Sequence, residues 1–359
     1  MRVLVVGTGW YGCEVARKLD ELGVDFDMVD RRNDFFAESS SRNQNRLHFG
    51  GFHYSRSHVT RVECRRGYDR FVEEYPDFSQ EVDSYYLIAR ESILDFETYL
   101  AIFKHESSPF TVQTLDTLTS RGIRFCPSVV DGSRVLLVKE RWIDFTKVKK
   151  HFKTKFGPKL LAFSEGLLNV FADFEDVLFD GSKYDLMFDA TYGKMFPLDN
   201  SVFEVCLTLL YRRKDVSQRN SPSVTVVDGN FFSLYPYDVE NNVFTLTHVL
   251  YTPLFSSTNL AEVETFSRQS TSSQSISQRK ALIEKDVCGW WPDFLVTHVY
   301  VDFFTSTKTK FIDVRCADRS MRECRRGNVV SVCGGKITGA FDVGEVVTNH
   351  VNSVVMSTP

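Results

Sequence analysis

The sequence predicts an α/β protein: a parallel sheet flanked by helices, with an antiparallel sheet inserted in the chain. Three observations support this. The first 30 residues read strand, glycine-rich turn, helix, strand. The stretch 203–251 changes to long alternating runs separated by turn residues, the pattern of antiparallel strands. From Val329 onward the chain returns to a short apolar strand, a glycine pair and a helix. The two ends therefore build one layer and the middle builds another.

The opening strand is the apolar run 2–6. It runs into Gly7-Thr8-Gly9-Trp10-Tyr11-Gly12, and a helix follows with Cys13, Val15, Ala16, Leu19 and Leu22 at helical spacing. A second strand over 24–29 ends on Asp30. This context turns a bare GxGxxG into a Rossmann-like dinucleotide fingerprint. Gly7 permits the tight turn, Gly9 lets backbone approach a pyrophosphate, and Gly12 lets helix and strand pack closely. The helix N-terminus faces the phosphates, and Asp30 is placed for ribose hydroxyls. Arg31 and Arg32 follow it, but the Asp30 carboxylate repels the extra phosphate of NADP. The fingerprint alone leaves NAD and FAD open.

A polar loop comes next, from Ser39 to Tyr54, with Ser40, Arg42, Asn43, Gln44, Asn45, Arg46 and His48 in its first part. Leu47, Phe49 and Phe52 anchor it, so its polar groups need partners, and a bound cofactor is a candidate. A helix is expected over 61–75, with Val62, Tyr68, Phe71 and Val72 inward. Its arginines alternate with Glu63, Asp69, Glu73 and Glu74, which reads as a salt-bridged face rather than a nucleic-acid patch. Strands are expected over 134–139, 167–174 and 186–190, with a helix over 146–156. The alternating strands span 204–212, 223–227, 230–236 and 243–250. The serine-rich stretch 267–277 is expected to fray or loop before a helix at 278–287. A strand over 296–304, one over 329–333 and a helix over 337–350 complete the chain.

Composition narrows the classes. The chain has 359 residues, 43% hydrophobic and 25% charged, as in ordinary globular enzymes. A net charge of −4 gives no reason to expect nucleic acid or an anionic membrane surface as partner. No apolar run approaches the ~18 residues of a membrane span. With a strand from residue 2, no signal peptide is expected. The eight cysteines show no CxxC or zinc-like spacing, so reduced thiols and a cytoplasmic location are expected. His48, His53 and His58 recur every five residues, which suits neither a helix face nor a strand face, and no metal site is expected.

Two further segments have chemical meaning. A strand ends in Asp189-Ala190-Thr191-Tyr192-Gly193, and the last strand runs into Gly334-Gly335-Lys336-Ile337. Lys336 at the start of the final helix would add a full positive charge to the dipole. Taken with the fingerprint and the Ser40-Ser41-Arg42-Asn43 loop, these segments resemble the FAD-dependent oxidoreductases of the D-amino-acid oxidase and glycerol-3-phosphate dehydrogenase type, in order and over the whole chain.

The resemblance implies a Rossmann-like FAD-binding domain over 1–60, 125–200 and 313–359. An antiparallel-sheet substrate domain would cover 61–124 and 201–312 as the roof over the flavin. It implies non-covalent FAD on Gly7, Gly9, Trp10, Tyr11 and Gly12, with Asp30 and Arg31 at the ribose. The loop residues from Ser40 to His48, then Ala190, Thr191 and Tyr192, then Gly334, Gly335, Lys336 and Ile337 would continue the site toward the ring. The family usually has Glu at the Asp30 position and Asn-Ala-Thr-Gly at the strand end, where this chain has Asp189 and an inserted Tyr192. Tyr235, His248, Tyr251 and Arg319 are the expected polar groups of the substrate pocket. The implied activity is removal of a hydride from a C–H beside an amine or hydroxyl of a small polar substrate. An NAD-dependent dehydrogenase and a non-catalytic flavin- or nucleotide-binding protein are the alternatives.

Overall fold

The computed structural model describes residues 1–49, 57–105, 108–129, 135–171, 173–215, 222–269, 273–312 and 320–357. The strand Arg2–Val6 is apolar at every position after Arg2 because it lies inside a six-stranded sheet. The order is Arg322–Arg326, Val329–Cys333, Leu186–Asp189, Arg2–Val6, Asp25–Val29, Leu160–Leu161. All neighbours run parallel except the outermost Arg322–Arg326. Alternation along the strands splits the core. Val3, Val5, Phe188 and Val330 pack with the helices Trp10–Glu21 and Val343–Ser357. Leu4, Val6, Met187 and Val329 pack on the other face with a small sheet formed by Leu168–Val170, Val177–Phe179 and Ser182–Tyr184.

The second large sheet has ten strands. Its path runs Pro253–Ser257, Ser201–Arg213, Val243–His248, Phe232–Asp238, Ser223–Val227, Ser79–Ile88, Val135–Ile143, Arg46–Leu47. His298–Phe311 pairs with Ser201–Arg213 along its whole length, and Thr111–Gln113 pairs with Val135–Ile143. One face packs on the helix Ser273–Trp290 through Leu207, Leu209, Leu234 and Leu246. The other faces the parallel-sheet layer.

The structure corrects several expectations. The sheet is mixed, because Ser223–Val227 runs parallel to Ser79–Ile88. Val135–Ile143, expected within the FAD-binding segment 125–200, is instead a strand of this mixed sheet, next to its edge. Val62 is exposed, and Tyr68 and Phe71 form the buried stripe of helix His58–Glu74. The serine-rich stretch is helical on both sides of 270–272, within Leu260–Gln269 and Ser273–Trp290. The strand expected from 296 starts at His298, after a helical turn Phe294–Thr297. The C-terminal helix begins as a 3-10 segment, Ile337–Asp342, before Val343–Ser357. Among the described residues no helix is long and apolar enough to cross a membrane, the cysteines are free thiols, and no cluster suits a metal ion.

Candidate active site

A cavity of about 830 Å³ lies between the two large sheets, within the ~300–1,000 Å³ range of ligand pockets. Its floor is the opening turn. Gly7 has φ +102°, and a Cβ there would sit 2.6 Å from the Ala190 carbonyl oxygen. A Cβ on Gly12 would lie 1.8 Å from the Gly7 carbonyl oxygen, so this glycine sets how closely helix meets strand and does not itself line the cavity. At Gly9 a Cβ would lie 2.5 Å from Ser40 Oγ, which accepts from the Trp10 N–H at 3.3 Å. The Trp10 indole turns away, into a cluster with Phe36, Phe71, Phe145 and Phe152. Asp30 accepts from the Thr8 N–H at 3.1 Å and the Arg32 N–H at 2.8 Å, which fixes its carboxylate at the cavity edge. Arg31 lies beside it, 3.4 Å from Glu38 and 3.2 Å from Glu264.

The polar loop is shaped from within. Asn43 Nδ2 donates to the Ser39 and Ser40 carbonyls, and Asn43 Oδ1 accepts from the Asn45 N–H at 2.7 Å. Ser40, Arg42, Asn43 and Gln44 then line the cavity. Asn45, at φ +53° and buried, does not, because it turns the chain into the short strand Arg46–Leu47.

Arg46 is the centre of a buried polar cluster. Its guanidinium pairs with Glu140, donates to the Tyr86 hydroxyl and to Thr225 Oγ1 and Ser233 Oγ, and lies over the Tyr235 ring at 4.5 Å. Burial opposes its charge, but Glu140 holds the guanidinium protonated. His48 lies 3.6 Å from Glu140; burial, Lys336 and Arg46 keep its pKa well below the usual value, so the imidazole is neutral.

At the strand end, Asp189 accepts from the Thr191 N–H and hydroxyl, Ser331 Oγ and the Phe196 N–H. These bonds set Ala190, Thr191 and Tyr192 along the cavity, with Tyr192 at φ +65° and Gly193 at +70°. Across from them, a Cβ on Gly334 would fall 1.9 Å from the Tyr11 hydroxyl, which donates to the Lys336 carbonyl at 2.9 Å. Gly334, Gly335, Lys336 and Ile337 all line the cavity. Burial, and then Arg46, lower the Lys336 pKa to about 7, and the segment after it starts as a 3-10 turn.

The expected substrate residues fare differently. Tyr235 is fully buried beneath Arg46 and off the cavity wall, and its hydroxyl has no hydrogen-bond partner among the described residues. His248 touches the cavity but is committed elsewhere. Nδ1 accepts from the Leu250 N–H at 3.2 Å, so Nε2 bears the proton and donates to Asp286 at 3.0 Å. Tyr251 stacks on His248 at 4.6 Å and does not line the cavity. Arg319 lies outside the described residues, as do His53 and Phe52.

Sequence reading missed Glu140, Tyr86, Lys194, Thr208, Thr225 and Ser233. Lys194 lines the cavity 4.0 Å from Glu38, with its pKa lowered by burial and by Arg31. The hydroxyl residues occupy alternate positions of the expected strands, and that was the available signal.

Comparison with known proteins agrees with this geometry. Residues 2–48 match the family model described as pyridine nucleotide-disulphide oxidoreductase. The FAD-dependent monooxygenase FPY4 of Fusarium mangiferae is 35% identical over 356 residues, covering 97% of this chain and 90% of that protein. The FAD-dependent monooxygenase kojA of Aspergillus flavus is 24% identical over 99% of this chain and 86% of its own length. In fold, the chain matches the L-alpha-glycerophosphate oxidase of Mycoplasma pneumoniae, solved with FAD bound, at a TM-score of 0.70 and 14% identity, covering 98% and 94% of the two chains. Glycine oxidase from Geobacillus kaustophilus matches at 0.69 and 13%, covering 98% and 95%. The cofactor is therefore FAD rather than NAD, and the protein is an enzyme rather than a binding relic. The chain belongs to the family of FAD-dependent oxidoreductases that includes FPY4, with the fold of the D-amino-acid oxidase and glycerol-3-phosphate dehydrogenase type.

Proposed function

We propose that FAD lies along the cavity with its pyrophosphate on the Gly7–Gly12 turn and its ring end between His48, Lys336 and the mixed sheet. There the enzyme removes a hydride from a C–H beside an amine or hydroxyl of a small polar substrate. The observation behind this reading is the continuity of one cavity from the fingerprint turn to Lys336 and the sheet face. The residues fit the group. The Gly9 position is a cradle that a Cβ would fill, and the helix N-terminus behind it suits a pyrophosphate. Bound FAD supplies a two-electron acceptor.

The chain's own residues do the rest. Asp30 offers remaining lone pairs to ribose hydroxyls. Lys336 lies near its protonation midpoint at neutral pH, so an anion beside it draws it into the charged form. Arg46, neutralised by Glu140, fixes the sheet face rather than supplying charge. In this reading the parallel-sheet layer is the FAD-binding domain and the mixed sheet, including Val135–Ile143, is the substrate domain. Anaerobic mixing with substrate tests it: flavin bleaching without oxygen is expected. A flavin that stays oxidised until NADH or NADPH is added removes direct hydride transfer from substrate.

The names of FPY4 and kojA favour a second reading, insertion of one oxygen atom into the substrate. Labelled dioxygen separates the two. Label in the organic product supports monooxygenation, and label confined to hydrogen peroxide or water supports simple oxidation.

A further inference from the structure

The face of the mixed sheet that looks into the cavity bears a row of hydroxyls. Register pairs Ser233 with Thr247, Thr225 with Ser233, and Tyr86 with Thr225. Thr208 and Thr247 flank the Leu209–Leu246 pair on the next strand. Thr208, Thr247, Ser233 and Thr225 all line the cavity, on four neighbouring strands.

Counting hydrogens along this row identifies the open donors. Each hydroxyl has one hydrogen and two acceptor sites. Ser233 Oγ accepts from Arg46 at 3.3 Å and from Gln44 Nε2 at 3.4 Å. Both its lone pairs are used, so its own hydrogen goes to Thr225 Oγ1, 2.9 Å away. Thr225 then accepts from Ser233 and from Arg46 at 3.2 Å, and it too is full as an acceptor. Its remaining hydrogen has no acceptor among the described residues, and Thr225 is only 3% exposed. The hydroxyls of Thr208 and Thr247 make no hydrogen bond to described protein atoms and open onto the same space, each able to donate and accept.

We infer that this row is the substrate-reading surface: Thr225 donates to a substrate oxygen, Thr208 and Thr247 exchange hydrogen bonds with substrate hydroxyls, and the substrate is a small polyhydroxylated or hydroxy-carbonyl compound. A buried donor left without a partner is unfavourable, and an oxygen-rich ligand removes that cost. Groups that both donate and accept match substrate hydroxyls, which do the same. The inference rests on the proposed placement of the flavin, because it needs the sheet to face the reacting side.

The test uses the full-length, FAD-loaded protein and the flavin absorption spectrum. Flavin content is measured first, so a failure of the cofactor placement shows before any titration. Sorbitol, fructose and dihydroxyacetone are titrated beside gluconate, glycerol 3-phosphate and alanine. At least one of the uncharged probes should perturb the spectrum saturably, and more tightly than any charged one. Thr225→Val should weaken that binding about 3–10-fold, Thr225→Ser should keep it, and neither should change flavin content. Thr208→Val, which breaks no side-chain hydrogen bond to the described residues, should also weaken binding and serves if Thr225→Val does not fold. Tighter binding of a charged probe, no response to any uncharged one, or unchanged affinity in both valine variants overturns the inference.

Discussion

Replacing Lys336 with methionine isolates what it takes to hold an ammonium in the wall of the cavity. In the cofactor-free protein, burial and Arg46 hold this lysine at about 7, against about 10.4 in an unfolded chain. Below pH 7 the lysine is charged in both states, and the folded protein bears the whole desolvation penalty. Above pH 7 the folded protein releases the proton, while the unfolded chain keeps it until near pH 10. The unfolded chain then binds more protons, so this group makes wild-type stability rise with pH across that window. Between pH 6 and pH 9 the linkage amounts to at most ~2.7 kcal/mol. Lys336 is partly open to the cavity, and solvent there leaves roughly 1–2 kcal/mol. Methionine has no proton to exchange. Relative to wild type, Lys336→Met should therefore be more stable at pH 6, and this margin should shrink by about 1–2 kcal/mol at pH 9. Urea unfolding of both FAD-free proteins at the two pH values, followed by tryptophan fluorescence, measures it. A margin that is the same at both values refutes the buried-cation account, and one that grows with pH reverses its sign.

Gly12→Ala puts a Cβ 1.8 Å from the Gly7 carbonyl oxygen, so the first helix must move off its strand. A loss of about 2–4 kcal/mol and of bound flavin is expected, and a Tm and flavin content like wild type would contradict it. Tyr235→Phe removes a buried hydroxyl with no partner among the described residues and should be neutral or stabilising by up to ~1 kcal/mol. A drop in Tm worth more than ~2 kcal/mol would show that the hydroxyl holds something. His248→Ala loses the bonds to Asp286 and Leu250 and the stack on Tyr251, about 2–3 kcal/mol. Its Tm should fall while flavin content persists, and an unchanged Tm would make His248 a catalytic candidate again.

The glycine-turn side of the cavity was legible because its requirements are local. A strand, three glycines and an acidic strand end within thirty residues admit few backbone paths, and the path found is the expected one. The polar cluster was not legible, because Glu140 is 94 residues from Arg46 and only the pairing of Arg46–Leu47 with Val135–Ile143 brings them together. Alternation made Tyr235 a candidate for the pocket face, but the guanidinium covering its ring has no counterpart in strand periodicity. The parallel pair of Ser79–Ile88 and Ser223–Val227 was equally hidden, since a short apolar run looks the same in either direction. The serine-rich stretch misled by composition. Ile276, Ile283 and Val287 lie at helical spacing and bury against the sheet, and that burial outweighs weak propensity.

The two-residue strand Arg46–Leu47 has a consequence for recombination. It leaves the polar loop, crosses to the mixed sheet and becomes its edge, with Arg46 opposite Trp142 and Leu47 opposite Arg141. A chimera made by transplanting the middle of a relative onto these two ends would inherit a foreign strand beside a native Arg46. Unless the donor segment brings a carboxylate where Glu140 stands, the transplant would bury an unpaired guanidinium, at about 3–5 kcal/mol. Crossover points for shuffling this family therefore belong outside 46–143, with both partners exchanged as one inheritance unit.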